Sequence, residues 1–371
     1  MRAAFVLGTR PEIIKLYPVI IGCIERGVEF SLVHTNQHYS PELDAVFFEQ
    51  LGLPPPDFNL GIGSGTHAEQ LGRMLIGLEP VLQRIAPEVV FVEGDTNSVL
   101  AGALMASRLG LRVAHVEAGL RSYDRRMPEE TNRILTDNLS EYLLAPTAGA
   151  REILLSEGFP ETNIAVTGNT VVDSLQRFVR LAGQKEPVGK RWDLKPGEYV
   201  LVTLHRPENV DKKSVFLPII EAIGGFCAER GLAAAFPVHP RTARRLVEFG
   251  IELAGAWRPL PAVDYLSFLQ LEKQARLVIT DSGGVQEEAC ILGVPCVTVR
   301  LSTERPETVA VGANLVTGVE PEAIVEGAAR MIGRQGGWGN PFGDGRAGER
   351  IVEFVLEGEN SKSGRSQPRT A

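Results

Sequence analysis

Short apolar runs ending in glycine or a polar residue alternate along the chain with longer stretches whose apolar positions recur every three to four residues. Ala3 to Leu7, Phe30 to Thr35, Val89 to Glu93, Val113 to Glu117, Glu141 to Ala145 and Ile164 to Val166 read as strands. Between them the spacing predicts helices over Glu12 to Arg26, Thr66 to Ile85, Asn97 to Leu109 and Thr147 to Gly158, with another opened by Pro128-Glu129-Glu130. Strand and helix in strict alternation imply parallel strands joined by right-handed crossovers. Gly61-Ile62-Gly63-Ser64-Gly65 follows no strand and reads as a flexible connector.

Thr170 to Leu181 continues as a helix leaving the first domain, and the polar stretch Gly183 to Gly197 holds no periodic run, so a domain boundary is expected between about 168 and 197. The pattern then restarts. Strands are expected at Tyr199 to Leu204, Ala233 to Pro237, Leu277 to Thr280 and Pro295 to Val299, with helices over Ser214 to Glu229, Thr242 to Phe249, Asp264 to Gln274 and Val285 to Leu292. The fold class is therefore α/β: two doubly wound parallel-sheet, Rossmann-like domains. We divide the chain at 1–170, 171–345, a last helix 346–358 and a polar tail 359–371 expected to be disordered.

A length of 371 residues exceeds one comfortable core, in keeping with two domains. The net charge of −8 argues against a nucleic-acid surface. No apolar run approaches the roughly 20 residues of a membrane span, and the start carries no secretory pattern. The four cysteines have no CxxC spacing and read as reduced, buried thiols, which points to the cytoplasm.

Candidate chemistry collects at the carboxyl ends of the strands, where open α/β sheets bind ligands. Asp95 and Glu117 end two strands of one βαβ unit, and Glu129 opens the following helix. These acids can serve proton transfer, or simply cap helices and pair with nearby arginines. Arg10 and Lys15 follow the first strand and are candidate anion contacts, and Gln37-His38 end the second. His205 and His239 each end a strand beside arginine. In Asp281-Ser282-Gly283-Gly284, Ser282 is suited to cap a helix, and the glycines let backbone approach a phosphate. Glu288, one turn further, is placed to accept from ribose hydroxyls. Arg305 lies in a charged loop after another strand. The chain lacks GxGxxG, a P-loop and any metal-ligand spacing, so neither cofactor nor metal is expected.

Taken together, GTRPEIIK (8–15), QH (37–38), GDT (94–96), HVEAGLRS (115–122), PEETNR (128–133), GNTVVD (168–173), TLHRPEN (203–209), PVHP (237–240), TDSGGVQEEA (280–289), TERPE (303–307) and NPFGDG (340–345) resemble the non-hydrolysing UDP-N-acetylglucosamine 2-epimerases. The resemblance implies a glycosyltransferase-B type fold with a UDP-sugar in the interdomain cleft and a last helix crossing back to the first domain. It also implies a homodimer serving polysaccharide biosynthesis. It places catalytic roles on Asp95, Glu117, Glu129 and His205, and nucleotide contacts on Arg10, Lys15, Phe268, Ser282, Gly283, Gly284, Glu288 and Arg305. Two positions depart from the family pattern: Val263 stands where other members carry a polar residue, and Glu93 where many carry histidine before GDT.

The implied reaction interconverts UDP-N-acetylglucosamine and UDP-N-acetylmannosamine. The C2 hydrogen is not α to a carbonyl. Loss of UDP from C1 as the C2 proton leaves gives 2-acetamidoglucal, and re-addition on the other face inverts C2. Three readings compete: a UDP-sugar with a 2,3-diacetamido uronic acid ring, a hydrolysing epimerase releasing N-acetylmannosamine and UDP, and a sugar transferase of the same fold. A non-catalytic nucleotide-sugar sensor would have no use for the three acids.

Overall fold

The computed structural model describes residues 1–36, 48–334 and 336–363; Gln37 and His38 lie outside the described residues. The chain forms two compact units, Met1–Ser174 with the segment from Phe342 onward, and Leu175–Pro341.

The first unit is built on β1 (Arg2–Leu7), β2 (Glu29–His34), β3 (Phe58–Asn59), β4 (Val89–Glu93), β5 (Arg112–Val116), β6 (Tyr142–Ala145) and β7 (Ile164–Val166). They form one sheet in the order β3-β2-β1-β4-β5-β6-β7, every pair parallel. The order reverses between β1 and β4, the kind of switch point at which doubly wound sheets open a crevice. The inner strands are largely apolar and buried because helices cover both faces, with Glu93 the one acid in β4. Phe5 of β1 stacks on Phe91 of β4 with ring centroids 4.9 Å apart.

The second unit repeats the plan with β8 (Tyr199–Thr203), β9 (Ala233–Pro237), β10 (Trp257–Leu260), β11 (Leu277–Thr280), β12 (Cys296–Thr298) and β13 (Asn314–Val316). The order is β10-β9-β8-β11-β12-β13, again all parallel, with the switch between β8 and β11. Val200, Val202, Ile279 and Val297 fill one side of this core with Phe216, Ile219 and Ile223 of the helix Lys213–Glu229. All four cysteines are buried with free thiols.

Three expectations change. The connector Gly61 to Gly65 is tied down: Ile62 donates to the Thr35 carbonyl at 3.0 Å and Gly63 to that of Asn36 at 2.8 Å, so backbone pairing continues past β2. The tail does not begin at 359, since the last helix runs Ala347–Ser363. Buried Glu359 anchors it, accepting from Tyr142 Oη and Arg112 Nη1, each at 2.5 Å. This helix lies on Arg10–Glu25 at close range: a Cβ on Gly348 would come 2.6 Å from the Pro18 backbone. Asp173 accepts from the Ala347 and Gly348 amides at 3.2 and 2.9 Å, which satisfies the helix start. Third, Ser282 makes no side-chain cap to the helix Gly283–Leu292. Its own N–H instead donates to Thr280 Oγ1 at 2.9 Å.

Candidate active site

At the carboxyl edge of the first sheet the chain leaves β1 through Gly8, where any Cβ would collide with Thr35 Oγ1 and Ser98 Oγ. Buried Glu12 fastens this turn, accepting from Gly8 N at 2.6 Å, Thr9 Oγ1 at 2.9 Å and Thr96 Oγ1 at 2.7 Å. Arg10 stands exposed at the first turn of the helix Arg10–Glu25. One turn on, Lys15 reaches Glu117, and Glu93 Oε1 lies 3.3 Å from its ammonium.

Glu117 follows β5 with φ 71°, left-handed backbone that a non-glycine residue enters at a cost on the order of 1–2 kcal/mol. It is 8% exposed. The strain turns its carboxylate toward Lys15 instead of letting β5 continue. Asp95 follows β4 after Gly94, itself at φ 84°. Its carboxylate remains 31% exposed and meets Arg133 Nη2 at 2.7 Å and Nε at 2.9 Å. Asn132 Nδ2 holds the Asp95 carbonyl at 2.8 Å.

The two glutamates opening the helix Pro128–Leu139 take opposite roles, because consecutive helical residues point about 100° apart. Glu129 is exposed. Glu130 is buried and accepts from Ser122 N, Ser122 Oγ and Tyr123 N at 2.8–2.9 Å and from Arg133 Nη1 at 2.8 Å. Burial would raise its carboxyl, but those donors hold it below the usual value. Sequence reasoning missed Glu130 and Arg133, and also a buried pair beneath the site. His115 Nδ1 lies 2.6 Å from Asp137 Oδ1, and its Nε2 lies 2.9 Å from the Gly94 carbonyl, so the ring braces the turn that carries Asp95. A histidine inside the otherwise apolar run before Glu117 was the available signal.

At the carboxyl edge of the second sheet, Asp281 is fully buried at the end of β11. It accepts from His205 N at 2.9 Å, Arg206 N at 2.9 Å and Asn209 Nδ2 at 3.1 Å, and pairs with His205 Nδ1 at 2.9 Å. Burial opposes its charge, yet the bonds from His205 and the backbone hold the carboxyl below its usual range. Asp281 thereby fixes the His205 ring and directs Nε2 away from it. His239 lies beside that ring, centroids 5.4 Å apart, and caps Pro240–Phe249 by accepting from Arg241 N. Burial, then the neighbouring His205 and Arg241, push the His239 imidazole below its ordinary pKa.

Gly283 and Gly284 begin their helix with open space in front: the nearest atom to a Cβ on Gly283 would be Glu304 Oε2 at 3.7 Å. First-turn amides have no intrahelical acceptor, so this start suits an anion. Arg305 Nε sits 3.3 Å from Glu287 Oε2, which places its guanidinium beside the same helix. Glu288 is one turn in, as expected, but is buried and accepts from Tyr265 Oη at 2.7 Å. Phe268 and Val263 are partly buried against the core of this unit. The geometry thus gathers Lys15, Glu117 and Glu93 into one cluster and His205, His239 and Asp281 into another.

Two Rossmann-like parallel sheets in one chain, each with polar side chains at its switch point, define a protein of the glycosyltransferase-B class. The family model described as UDP-N-acetylglucosamine 2-epimerase matches residues 24–356, and the chain belongs to that family. It is 50% identical over 365 residues, 97% of this chain and all of the relative, to a UDP-N-acetylglucosamine 2-epimerase of Methanocaldococcus jannaschii. A crystal structure of a 2-epimerase from that organism, in complex with UDP-GlcNAc and UDP, superposes with a TM-score of 0.88 at 50% identity, covering 96% of this chain and 100% of that one. A UDP-2,3-diacetamido-2,3-dideoxy-D-glucuronate 2-epimerase of Pseudomonas aeruginosa is 40% identical over 361 residues, 96% of this chain and 100% of the relative.

Proposed function

We propose that the protein catalyses the reversible C2 epimerisation of UDP-N-acetylglucosamine to UDP-N-acetylmannosamine. A base takes the C2 proton, the C1–O bond breaks with its electron pair leaving on UDP, and 2-acetamidoglucal remains. Return of UDP to C1 and of a proton to the opposite face of C2 completes the inversion. The observation that carries this reading is the concentration of acid–base groups at the first sheet's switch point. Glu117 is paired with Lys15 there, and Asp95 beside Arg133 is still reached by solvent.

In this reading Asp95, Glu117 and Glu129 serve proton transfer, which needs a donor and an acceptor on opposite faces of the sugar. The helix start at Ser282, Gly283 and Gly284, with Arg305, takes the diphosphate. His205, held by Asp281, stabilises the charge that develops there, with Arg10 and His239 in support. Glu288 and Phe268 hold the nucleoside. We further propose a homodimer in the cytoplasm that supplies sugar nucleotide for polysaccharide synthesis, and light scattering at working concentration checks the first part.

The test is a proton NMR time course with UDP-N-acetylglucosamine in heavy water. Deuterium must enter C2 of both epimers, and Asp95→Asn must abolish turnover while UDP still binds. Release of free N-acetylmannosamine would instead mark a hydrolysing enzyme. The Pseudomonas relative favours one second reading, a 2,3-diacetamido uronic acid ring. Faster turnover of that UDP-sugar would decide for it.

A further inference from the structure

Glu93 is the last residue of β4, 2% exposed, in a strand whose other residues are all apolar. Parallel pairing sets it opposite Val116, one residue before Glu117. The groups that face it are Lys15 from the helix Arg10–Glu25, Glu117 from the end of β5 and, further off, Glu12 from that same helix. Lys15 contacts Glu117 directly and stands 3.3 Å from Glu93, so one cation faces two carboxyls. Both carboxyls are buried. One lysine cannot neutralise two buried negative charges. That imbalance requires one extra proton in this cluster at neutral pH.

We propose that Glu93 holds that proton as a neutral carboxylic acid, donates it in a hydrogen bond to Glu117, and so acts as a positioning residue that keeps Glu117 ionised against Lys15. The assignment to Glu93 follows from the distances, since Lys15 sits nearer to Glu117 and favours the anion there. It follows also from burial: Glu93 is the deeper of the two. Desolvation is the main reason its carboxyl stands well above the ordinary range; Lys15 opposes this and Glu117 reinforces it. Glu93 does not contact substrate in this scheme. Its hydrogen bond fixes the orientation and charge of a strained side chain that does.

The proposal rests on the acid–base reading of Glu117, so the test includes a readout independent of turnover. Infrared spectra of the full-length protein at pH 7.5 should show the C=O band of a protonated buried carboxyl. Glu93→Gln should remove one carboxyl's worth of that intensity. If Glu93→Gln leaves the band unchanged, the proposal fails whatever the enzyme catalyses. In kinetics, Glu93→Gln keeps a neutral donor and should retain kcat within about 3-fold, while any loss of kcat at high pH moves up by at least one unit. Glu93→Leu should lower kcat about 100-fold with KM within about 3-fold, its folding checked by circular dichroism. Equal loss of kcat in the Gln and Leu variants would show that Glu93 works as an anion and overturn the proposal. A missing band change beside intact epimerase activity rejects the proposal alone. A band change in a protein that does not epimerise rejects the functional reading instead.

Discussion

Replacing Asp281 with asparagine tests how much of the second sheet's edge depends on one buried charge. In the native protein one carboxylate serves His205 N, Arg206 N, Asn209 Nδ2 and His205 Nδ1. Asparagine has a single oxygen. Placed at the Oδ2 position, that oxygen keeps Arg206, Asn209 and the His205 amide, and the NH2 group then faces His205 Nδ1. The ring must answer with a lone pair at Nδ1, which puts its hydrogen on Nε2. Hydrogen bonds to a charged acceptor are worth about 1.5–3 kcal/mol and those to a neutral one about 1. Relief from burying a charge offsets part of the loss, so we expect a net destabilisation of about 1–2 kcal/mol. For a unit of this size that lowers Tm by about 2–8 °C. The chemical effect should be larger. A ring fixed in the wrong tautomer cannot accept and hold a proton toward the diphosphate, and kcat should fall about 100- to 1000-fold with KM changed less than about 5-fold. The assay is the NMR time course paired with a thermal melt. The Asp281 carboxyl is depressed in the folded protein, so its stability contribution is present above the ordinary aspartate value and fades as pH falls. The asparagine variant should lack that part of the acid limb. A kcat within about 3-fold of native, with the melt shifted as expected, would refute the tautomer argument and leave Asp281 a purely structural anchor.

Two further outcomes follow from buried acids. Glu359→Ala leaves Tyr142 Oη and Arg112 without their shared acceptor, so about 1–3 kcal/mol is lost and amide exchange should rise first in the helix Ala347–Ser363. The Glu12 carboxyl is pushed up to about 7 by burial, against opposing bonds from Thr96, Thr9 and Gly8. A raised carboxyl contributes stability below its unfolded value that is lost as pH rises toward the folded one, so urea unfolding should show stability declining between about pH 4.5 and 7, by about 3 kcal/mol at most, with a flatter profile in Glu12→Gln.

The alternation of strand and helix made both sheets legible, because parallel strands covered on both faces must be continuously apolar and must stop at polar turns. Gly94-Asp95-Thr96 and Ser282-Gly283-Gly284 were readable for the same reason. Pairing across long separations was not. Nothing local joins Lys15 to Glu117, 102 residues away, or His205 to Asp281. Nor does spacing alone say which of Glu129 and Glu130 turns inward, since that depends on Ser122 and Tyr123 offering their amides. β10 escaped notice because Trp257-Arg258-Pro259-Leu260 exposes its middle residues at a sheet edge, where proline is tolerated.

The return of the last helix onto Arg10–Glu25 governs the order of manufacture. A growing chain can fold the unit Leu175–Pro341 as soon as it clears the ribosome. The unit that begins at Met1 is completed only by Gly348 and Glu359, which are made after the whole of the second unit. A late frameshift would therefore damage the oldest part of the molecule and spare the younger. Shortened chains ending near Pro341 should accumulate as a sound second unit attached to an unfinished first one, with the apolar side of Arg10–Glu25 bare to quality control.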